Sequence, residues 1–178
     1  MKLKKFKFKK VKSTNNTAIR IIKESSYTLG MVVAETQEKG RGQYGRKWIS
    51  YKGNLFASFF HPFDENKFSI ERVTKLNCNL VKQTLSKYIK NKINFKKPND
   101  LLINKKKISG ILQEIITKSD KKFLITGIGI NVIKNPNIKN YPATNLYRIT
   151  GKKINKSELE KNLKLVFENR ISKMYKIN

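Results

Sequence analysis

The feature that most constrains this chain is a series of three short apolar runs, Leu101–Ile103, Ile108–Ile116 and Phe123–Val132, separated only by the polar segments Asn104-Lys105-Lys106 and Lys118-Ser119-Asp120-Lys121. Polar connections this short cannot carry a crossover, so consecutive runs must reverse direction and pair as an antiparallel meander. A second pair of runs, Met31–Thr36 and Asn54–Phe60, reads as a buried hairpin spanning a glycine-rich loop. Residues 3–11 alternate, with Phe6 and Phe8 on one face and Lys5, Lys7 and Lys9 on the other, the period of a half-exposed strand.

Helical spacing appears in three places. Ser13 and Thr14 are cap-type residues ahead of Ala18, Ile21 and Ile22. Val73, Leu76, Leu80, Val81, Leu85, Tyr88 and Ile89 predict a long amphipathic helix over 69–90. Ser157 and Glu160 form a capping box for a last helix carrying Leu159, Leu163, Val166, Phe167 and Ile171. Hairpin-paired strands with a few helices predict an α+β domain, with a mixed, largely antiparallel sheet and the helices packed on one face. With 178 residues, one domain over 1–178 is expected. No apolar stretch approaches the roughly 20 residues that cross a bilayer, and the amino terminus lacks a signal-type apolar core, so a cytoplasmic location is expected.

The formal charge of +28 invites a nucleic-acid reading. Against it, only Arg20, Arg41, Arg46, Arg72, Arg148 and Arg170 are arginines among 40 basic residues, whereas base and phosphate recognition favours the bidentate guanidinium. No specific nucleic acid is expected, although a basic nucleic-acid-binding module is the rival from another class. With one histidine, His61, and one cysteine, Cys78, neither a metal site built on them nor a Cys/His pair is expected.

Three segments carry chemistry. In Gly40-Arg41-Gly42-Gln43-Tyr44-Gly45-Arg46-Lys47-Trp48, three glycines let backbone N–H groups approach an anion while two arginines supply permanent charge. On so basic a chain, a plain hairpin loop is about as good a reading of that pattern. Lys96-Lys97-Pro98-Asn99-Asp100 enters a strand at a proline, and Gly127-Ile128-Gly129-Ile130-Asn131 alternates glycine within a strand, a mark of close approach by a ligand or a second backbone, or of a bulge.

Taken in order, these segments resemble the catalytic domain of the biotin–protein ligases, a class II synthetase-like biotin/lipoate ligase fold. The matching blocks are Ser13-Thr14-Asn15, Ala34-Glu35-Thr36-Gln37, Gly40 to Trp48, Lys96 to Asp100, Lys107-Ile108-Ser109-Gly110-Ile111-Leu112-Gln113-Glu114 and Gly127 to Asn131. The resemblance implies ATP-dependent formation of biotinyl-5'-AMP, with Mg²⁺, and transfer of biotin to a lysine of an acidic biotin carboxyl carrier domain. It implies that Ser13, Thr14, Asn15 and Gln37 hold the ureido ring and its surroundings. Arg41, Gly42 and Gln43 close over the carboxyl and phosphate, with Gly40, Arg46 and Trp48 on the same loop. Gly127 and Gly129 form the floor, and Asn131 meets adenine. Arg41 and a lysine of the Lys96-Lys97 pair are the implied catalytic cations, and register from Pro98 selects Lys96.

Two positions depart from the family pattern: Lys97 stands where tryptophan is usual, and Gln43 where a second loop arginine is frequent. Lipoate–protein ligase shares the fold and is the nearest rival. No amino-terminal helix-turn-helix and no carboxy-terminal barrel are expected. Metal ligands and a homodimer through a sheet edge are left open.

Overall fold

The computed structural model describes residues 2–175. Its elements run β1 (Lys4–Val11), α1 (Thr14–Glu24), β2 (Gly30–Gln37), β3 (Leu55–Pro62), α2 (Ile70–Leu85), β4 (Asn94–Lys96), β5 (Asp100–Ile103), β6 (Lys106–Lys118), β7 (Lys121–Ile130), α3 (Leu146–Thr150) and α4 (Lys156–Tyr175). The strands form one seven-stranded sheet in the order β1-β2-β3-β7-β6-β5-β4. Only β1 and β2 are parallel, and α1 is the crossover that a parallel pair requires. The expected hairpin is β2 with β3, and the expected meander is β5-β6-β7.

The meander turns are as tight as their spacing demands. Asn104 and Lys105, and again Ser119 and Asp120, all hold positive φ, the pattern of two-residue hairpins whose twist matches the strands they join. None of the four is glycine. Asn and Asp tolerate this left-handed conformation better than most residues, and the tight hairpin geometry imposes it on Lys105 and Ser119 as well.

Side-chain alternation sorts the strands onto two faces. Met31, Val33, Leu55, Ala57, Phe59, Ile111, Ile128 and Ile130 pack against Cys78, Val81 and Leu85 of α2 and Leu159, Leu163, Phe167 and Ile171 of α4. Phe59 and Phe167 stack at 4.0 Å. Val32, Phe60, Phe123 and Ile125 point the other way and meet Ala18 and Ile22 of α1, with Phe6 and Phe8 alongside. The expectation of helices on one face therefore holds for α2 and α4 and fails for α1. The cause is that β2, β3 and β7 are apolar at both parities, so each face needs a cover.

Two helix boundaries also differ from expectation. α2 ends at Leu85, where Ser86 Oγ bonds back to the Lys82 carbonyl, and a turn with Ile89 N–H on the Leu85 carbonyl carries Ile89 into the core. At α4 the cap is Asn155, whose Oδ1 accepts from the N–H groups of Ser157 and Glu158. Ser157 lies inside the helix, and Glu160 turns instead to an ion pair with Lys5 of β1. A carboxylate so buried is best neutralised by a charge, so the box partner is drawn away.

α1 is pinned at both ends. At its start Thr14 N–H donates to Gln37 Oε1 of β2. At its end Lys118 donates to the carbonyls of Ile22 and Ser25 at 2.6 and 2.7 Å, placing a cation on the negative end of the helix. The amino terminus of α1 stops over the middle of the sheet. Beyond it β7 carries Gly127 and Gly129 on the α1 face, paired with Leu112 and Gly110 of β6, so that face is left open.

His61 is buried in β3, with Nδ1 2.6 Å from the Pro62 carbonyl oxygen, which identifies Nδ1 as the protonated nitrogen of a neutral ring. Burial pushes its pKa down to about 4. The unfolded chain takes up the proton near pH 6.5 and the folded chain only near 4. Stability is therefore full above pH 6.5 and falls as pH drops towards 4, by at most about 3 kcal/mol. Melting curves of the wild type and His61→Gln across pH 4–7.5 should converge towards acid pH; parallel curves would contradict this.

Candidate active site

Gly127 and Gly129 make the site possible by lacking side chains. A Cβ at Gly127 would stand 2.3 Å from Asn15 Oδ1, and one at Gly129 would stand 2.3 Å from the Trp48 ring. A Cβ at Gly110, opposite Gly129, would lie 2.8 Å from Trp48 and 2.9 Å from the Lys107 side chain. Asn15, Trp48 and Lys107 thus rest directly on backbone. They border a cavity of about 760 Å³ on the α1 face of the sheet.

One end of the cavity is a neutral hydrogen-bonding wall. Gln37 Oε1 accepts from Thr14 N–H at 2.8 Å and from Thr14 Oγ1 at 3.1 Å, while its Nε2 donates to Ser50. Ser58 Oγ lies 2.8 Å from Thr14 Oγ1 and 2.5 Å from Asn15 Oδ1. Ser13 is the α1 N-cap, buried, and its hydroxyl caps no helical N–H. That leaves the hydroxyl to the cavity it lines.

The loop from Gly40 to Trp48 is a small hairpin of its own. Trp48 N–H meets the Gly40 carbonyl at 2.9 Å and Gly42 N–H meets the Arg46 carbonyl at 2.7 Å, with Tyr44 at positive φ at the exposed tip. Arg41 Nη2 reaches both oxygens of Glu114 at 2.8 and 2.7 Å and Asn16 Oδ1 at 2.7 Å. Glu114 Oε2 also accepts from Asn15 Nδ2 at 2.7 Å. One carboxylate thereby joins the loop to the start of α1.

The cationic centre lies beside the loop. Lys107 Nζ stands 2.7 Å from Asp100 Oδ1 and 5.2 Å from each of the ring centroids of Trp48 and Tyr141. Tyr141 O–H donates to Asp100 Oδ2. Its own pKa rises to about 12, through burial first and then the Asp100 carboxylate. Lys96 is exposed, with Nζ 4.9 Å from the Tyr141 centroid. The Lys97–Pro98 peptide beside it is cis.

At the far end is Asn131, 2 % exposed, whose Nδ2 donates to the Thr144 carbonyl at 3.0 Å. Among the buried polar atoms of the described residues without a hydrogen-bond partner, three belong to residues lining the cavity: Asp100 Oδ1, which faces the Lys107 ammonium, and Asn131 Oδ1 and Trp48 Nε1, whose costly condition a ligand would relieve. From Gly127 through Gly129 to Asn131 the strand rises about 13 Å, at roughly 3.3 Å per residue. The cavity thus runs in sequence from a neutral hydrogen-bonding end, past cations, to the buried side-chain carbonyl oxygen of Asn131.

Of the residues expected from sequence, Ser13, Thr14, Asn15, Gln37, Arg41, Gly42, Gln43, Arg46, Trp48, Lys96, Gly127, Gly129 and Asn131 all line this one cavity. Gly40 does not; it is buried behind the loop, where a Cβ would stand 2.5 Å from the Trp48 carbonyl oxygen. Sequence reasoning assigns no role to Lys107, Asp100, Glu114 or Tyr141. The first three stand inside the blocks that carry the family resemblance, which is the signal that could have found them. Tyr141 follows an Asn- and Lys-rich loop with no periodic signal.

Comparison with known proteins places this geometry. Residues 7–131 match the model of the biotin/lipoate A/B protein ligase family. The bifunctional ligase/repressor BirA of Bacillus subtilis is 34% identical over 166 residues, which are 89% of this chain and 50% of that protein, so the chain spans about half the length of such curated relatives. The biotin protein ligase of Aquifex aeolicus, solved in complex with biotin and ATP, superposes with a TM-score of 0.79 at 30% identity, over 98% of this chain and 73% of its own. That of Leishmania major, solved with biotinyl-5-AMP, gives 0.78 at 26% identity, over 96% and 75%.

Trp48 is the chain's single tryptophan, so the glycine floor can be read optically. Gly129→Ala must displace the indole from the sheet, and its emission is expected to shift to the red while most of the far-ultraviolet signal is kept. An unchanged emission spectrum would show that the ring does not rest where Gly129 leaves room.

Proposed function

Because this chain belongs to the biotin/lipoate A/B protein ligase family, we propose that it activates biotin with ATP as biotinyl-5'-AMP and transfers the biotin to a lysine of a carrier protein. The observation that carries this reading is the order of groups along one cavity: a neutral hydrogen-bonding end, a cluster of cations, and a buried acceptor at the opposite end. The order suits a ligand with a ureido ring at one end, a carboxylate meeting a phosphate in the middle, and adenine beyond. Ser13, Asn15 and Gln37 are suited to the ureido group, and Asn131 Oδ1 to the adenine amine.

In the first step a carboxylate oxygen of biotin attacks the α-phosphorus of ATP, the bond to the bridging oxygen of the β-phosphate breaks, and pyrophosphate leaves with the electron pair. Two unit negative charges at 4 Å repel by about 4 kcal/mol at the effective dielectric of a protein surface. Fixed cations that hold both groups offset this repulsion and tighten as charge redistributes. Lys107 is best placed for the task, because Asp100 and two aromatic faces confine its ammonium. Lys96 and Arg46 supply further charge from the rim. In the second step the deprotonated carrier lysine attacks the acyl carbon, AMP departs, and the amine's proton is released.

Mg²⁺ supplies charge neutralisation on the nucleotide phosphates. Among the described residues Asp100 is the one carboxylate lining the cavity, and it already holds Lys107 and Tyr141, so the ion would be brought in by the nucleotide, with Asp100 the one acidic side chain that could help hold it. The carrier is acidic in this reading, since a surface of net charge +28 draws an acidic partner and speeds encounter. Among the described residues no helix is long and apolar enough to cross a membrane.

Biotin-dependent exchange of pyrophosphate into ATP is expected from the wild-type chain, with lipoate unable to replace biotin. Lys107→Ala should lower it at least a hundredfold, the size of a lost transition-state contact, Lys96→Ala about tenfold, and Lys97→Ala least. Lys96→Ala as the most damaging change would restore the assignment made from Pro98. No exchange with biotin would overturn the reading itself.

Gln43 bears on the fate of the adenylate. A neutral amide grips phosphate more weakly than a guanidinium, and the loop's Arg41 is already engaged by Glu114 and Asn16. Without carrier, the wild type is expected to biotinylate its own lysines roughly tenfold faster than Gln43→Arg, for a loss of about 1.4 kcal/mol of grip. Mass spectrometry counts the modified lysines; equal labelling would clear Gln43 of this role.

A further inference from the structure

We infer that Tyr141 is a positioning residue of the adenylation step, acting through Asp100 to set the Lys107 ammonium towards the cavity; this rests on the function proposed above. The segment bearing Tyr141 is strapped to Lys107 by backbone on both sides. Lys107 N–H donates to the Pro142 carbonyl at 2.8 Å, Thr144 N–H donates to the Lys107 carbonyl at 2.9 Å, and Lys107 and Ala143 form a parallel bridge. The start of the loop that leads to this strap is held by Asn54, whose Oδ1 accepts the N–H groups of Val132, Ile133 and Lys134. Tyr141 therefore cannot drift relative to Lys107.

Within this frame Tyr141 meets the ammonium twice. Its ring face lies 5.2 Å from Lys107 Nζ, and its hydroxyl donates to the oxygen of Asp100 that Lys107 does not hold. Asp100 is 5 % exposed and lies where a carboxylate and a polyphosphate are to be received, so an unshared negative charge there would repel both ligands and draw Lys107 inward. The phenol spreads that charge over a second partner. Lys107 then holds Asp100 Oδ1 as an ion pair and keeps donors for the reacting oxygens. No other hydroxyl-bearing side chain is bonded to Asp100 among the described residues, so the phenol has no evident substitute.

The change that isolates this role is Tyr141→Phe, which keeps the ring, its packing and its cation contact and removes only the hydroxyl. Biotin-dependent pyrophosphate exchange should fall about tenfold in kcat, with the KM for biotin changed less than twofold and the melting temperature within a few degrees of wild type. In the Asp100→Asn background, where the charge to be shared is gone, the same change should cost less than twofold. That non-additivity separates action through Asp100 from a merely structural part. Equal cost in both backgrounds, or wild-type kcat in Tyr141→Phe, overturns the inference while leaving the ligase reading standing. A wild-type chain that shows no biotin-dependent exchange overturns both.

Discussion

Everything at the site depends on a stretch of sheet without side chains. Gly127 and Gly129 on β7, with Gly110 on β6, lower one face of an otherwise densely apolar sheet by the depth of a side chain, and three side chains settle into the space. Asn15 comes from the start of α1, Trp48 from the end of the 40–48 loop, and Lys107 from β6 itself. Any Cβ at these glycines would lie within van der Waals contact of those groups. The cavity is consequently a product of the backbone and does not need a ligand to exist. An enzyme must position groups before its substrates arrive, and a rigid floor achieves this without loss of conformational entropy at the moment of binding.

Above that floor, the useful charges are those that are held. The chain carries 40 basic residues, yet most coat the surface, where solvent and salt screen them. Arg41 is fixed by Glu114 and Asn16, and Lys107 by Asp100 and two rings. Both acids also bind a neutral donor, Asn15 for Glu114 and Tyr141 for Asp100. Each cation is thus aimed by a carboxylate whose charge is shared; Arg41 is spent in tying the loop to α1, whereas Lys107 keeps its ammonium beside the cavity. In the proposed function net charge serves a separate end, the long-range attraction of an acidic carrier.

Much of this is legible in the sequence because it is local. The meander follows from the short polar gaps at Asn104-Lys105 and Ser119-Asp120, and the glycine alternation at 127–129 marks a close approach whatever makes it. Of the site residues named from the ordered blocks, all but Gly40 line one cavity. What escapes depends on long-range partners. The cover of α1 on the second face comes from apolar residues at both parities of β2 and β7, which periodicity alone cannot apportion. The spacing of Glu160 from Ser157 suggests half of a capping box, but its carboxylate is claimed by Lys5 from the first strand. A lysine near a proline draws attention to Lys96, whereas Lys107 is confined by Trp48, Asp100 and Tyr141, groups from three separate segments. Tyr141 itself has no local signature, since its partners lie 41 and 34 residues away, at Asp100 and Lys107.

The central claim is that a single cavity receives biotin and nucleotide end to end, and calorimetric titration of the wild-type chain tests it most directly. Biotin should bind at one site per chain, and a non-hydrolysable biotinyl-adenylate analogue should bind at one site and abolish the heat of biotin and of ATP alike. Biotin that still bound in the presence of saturating analogue, or failed to bind at all, would contradict the account.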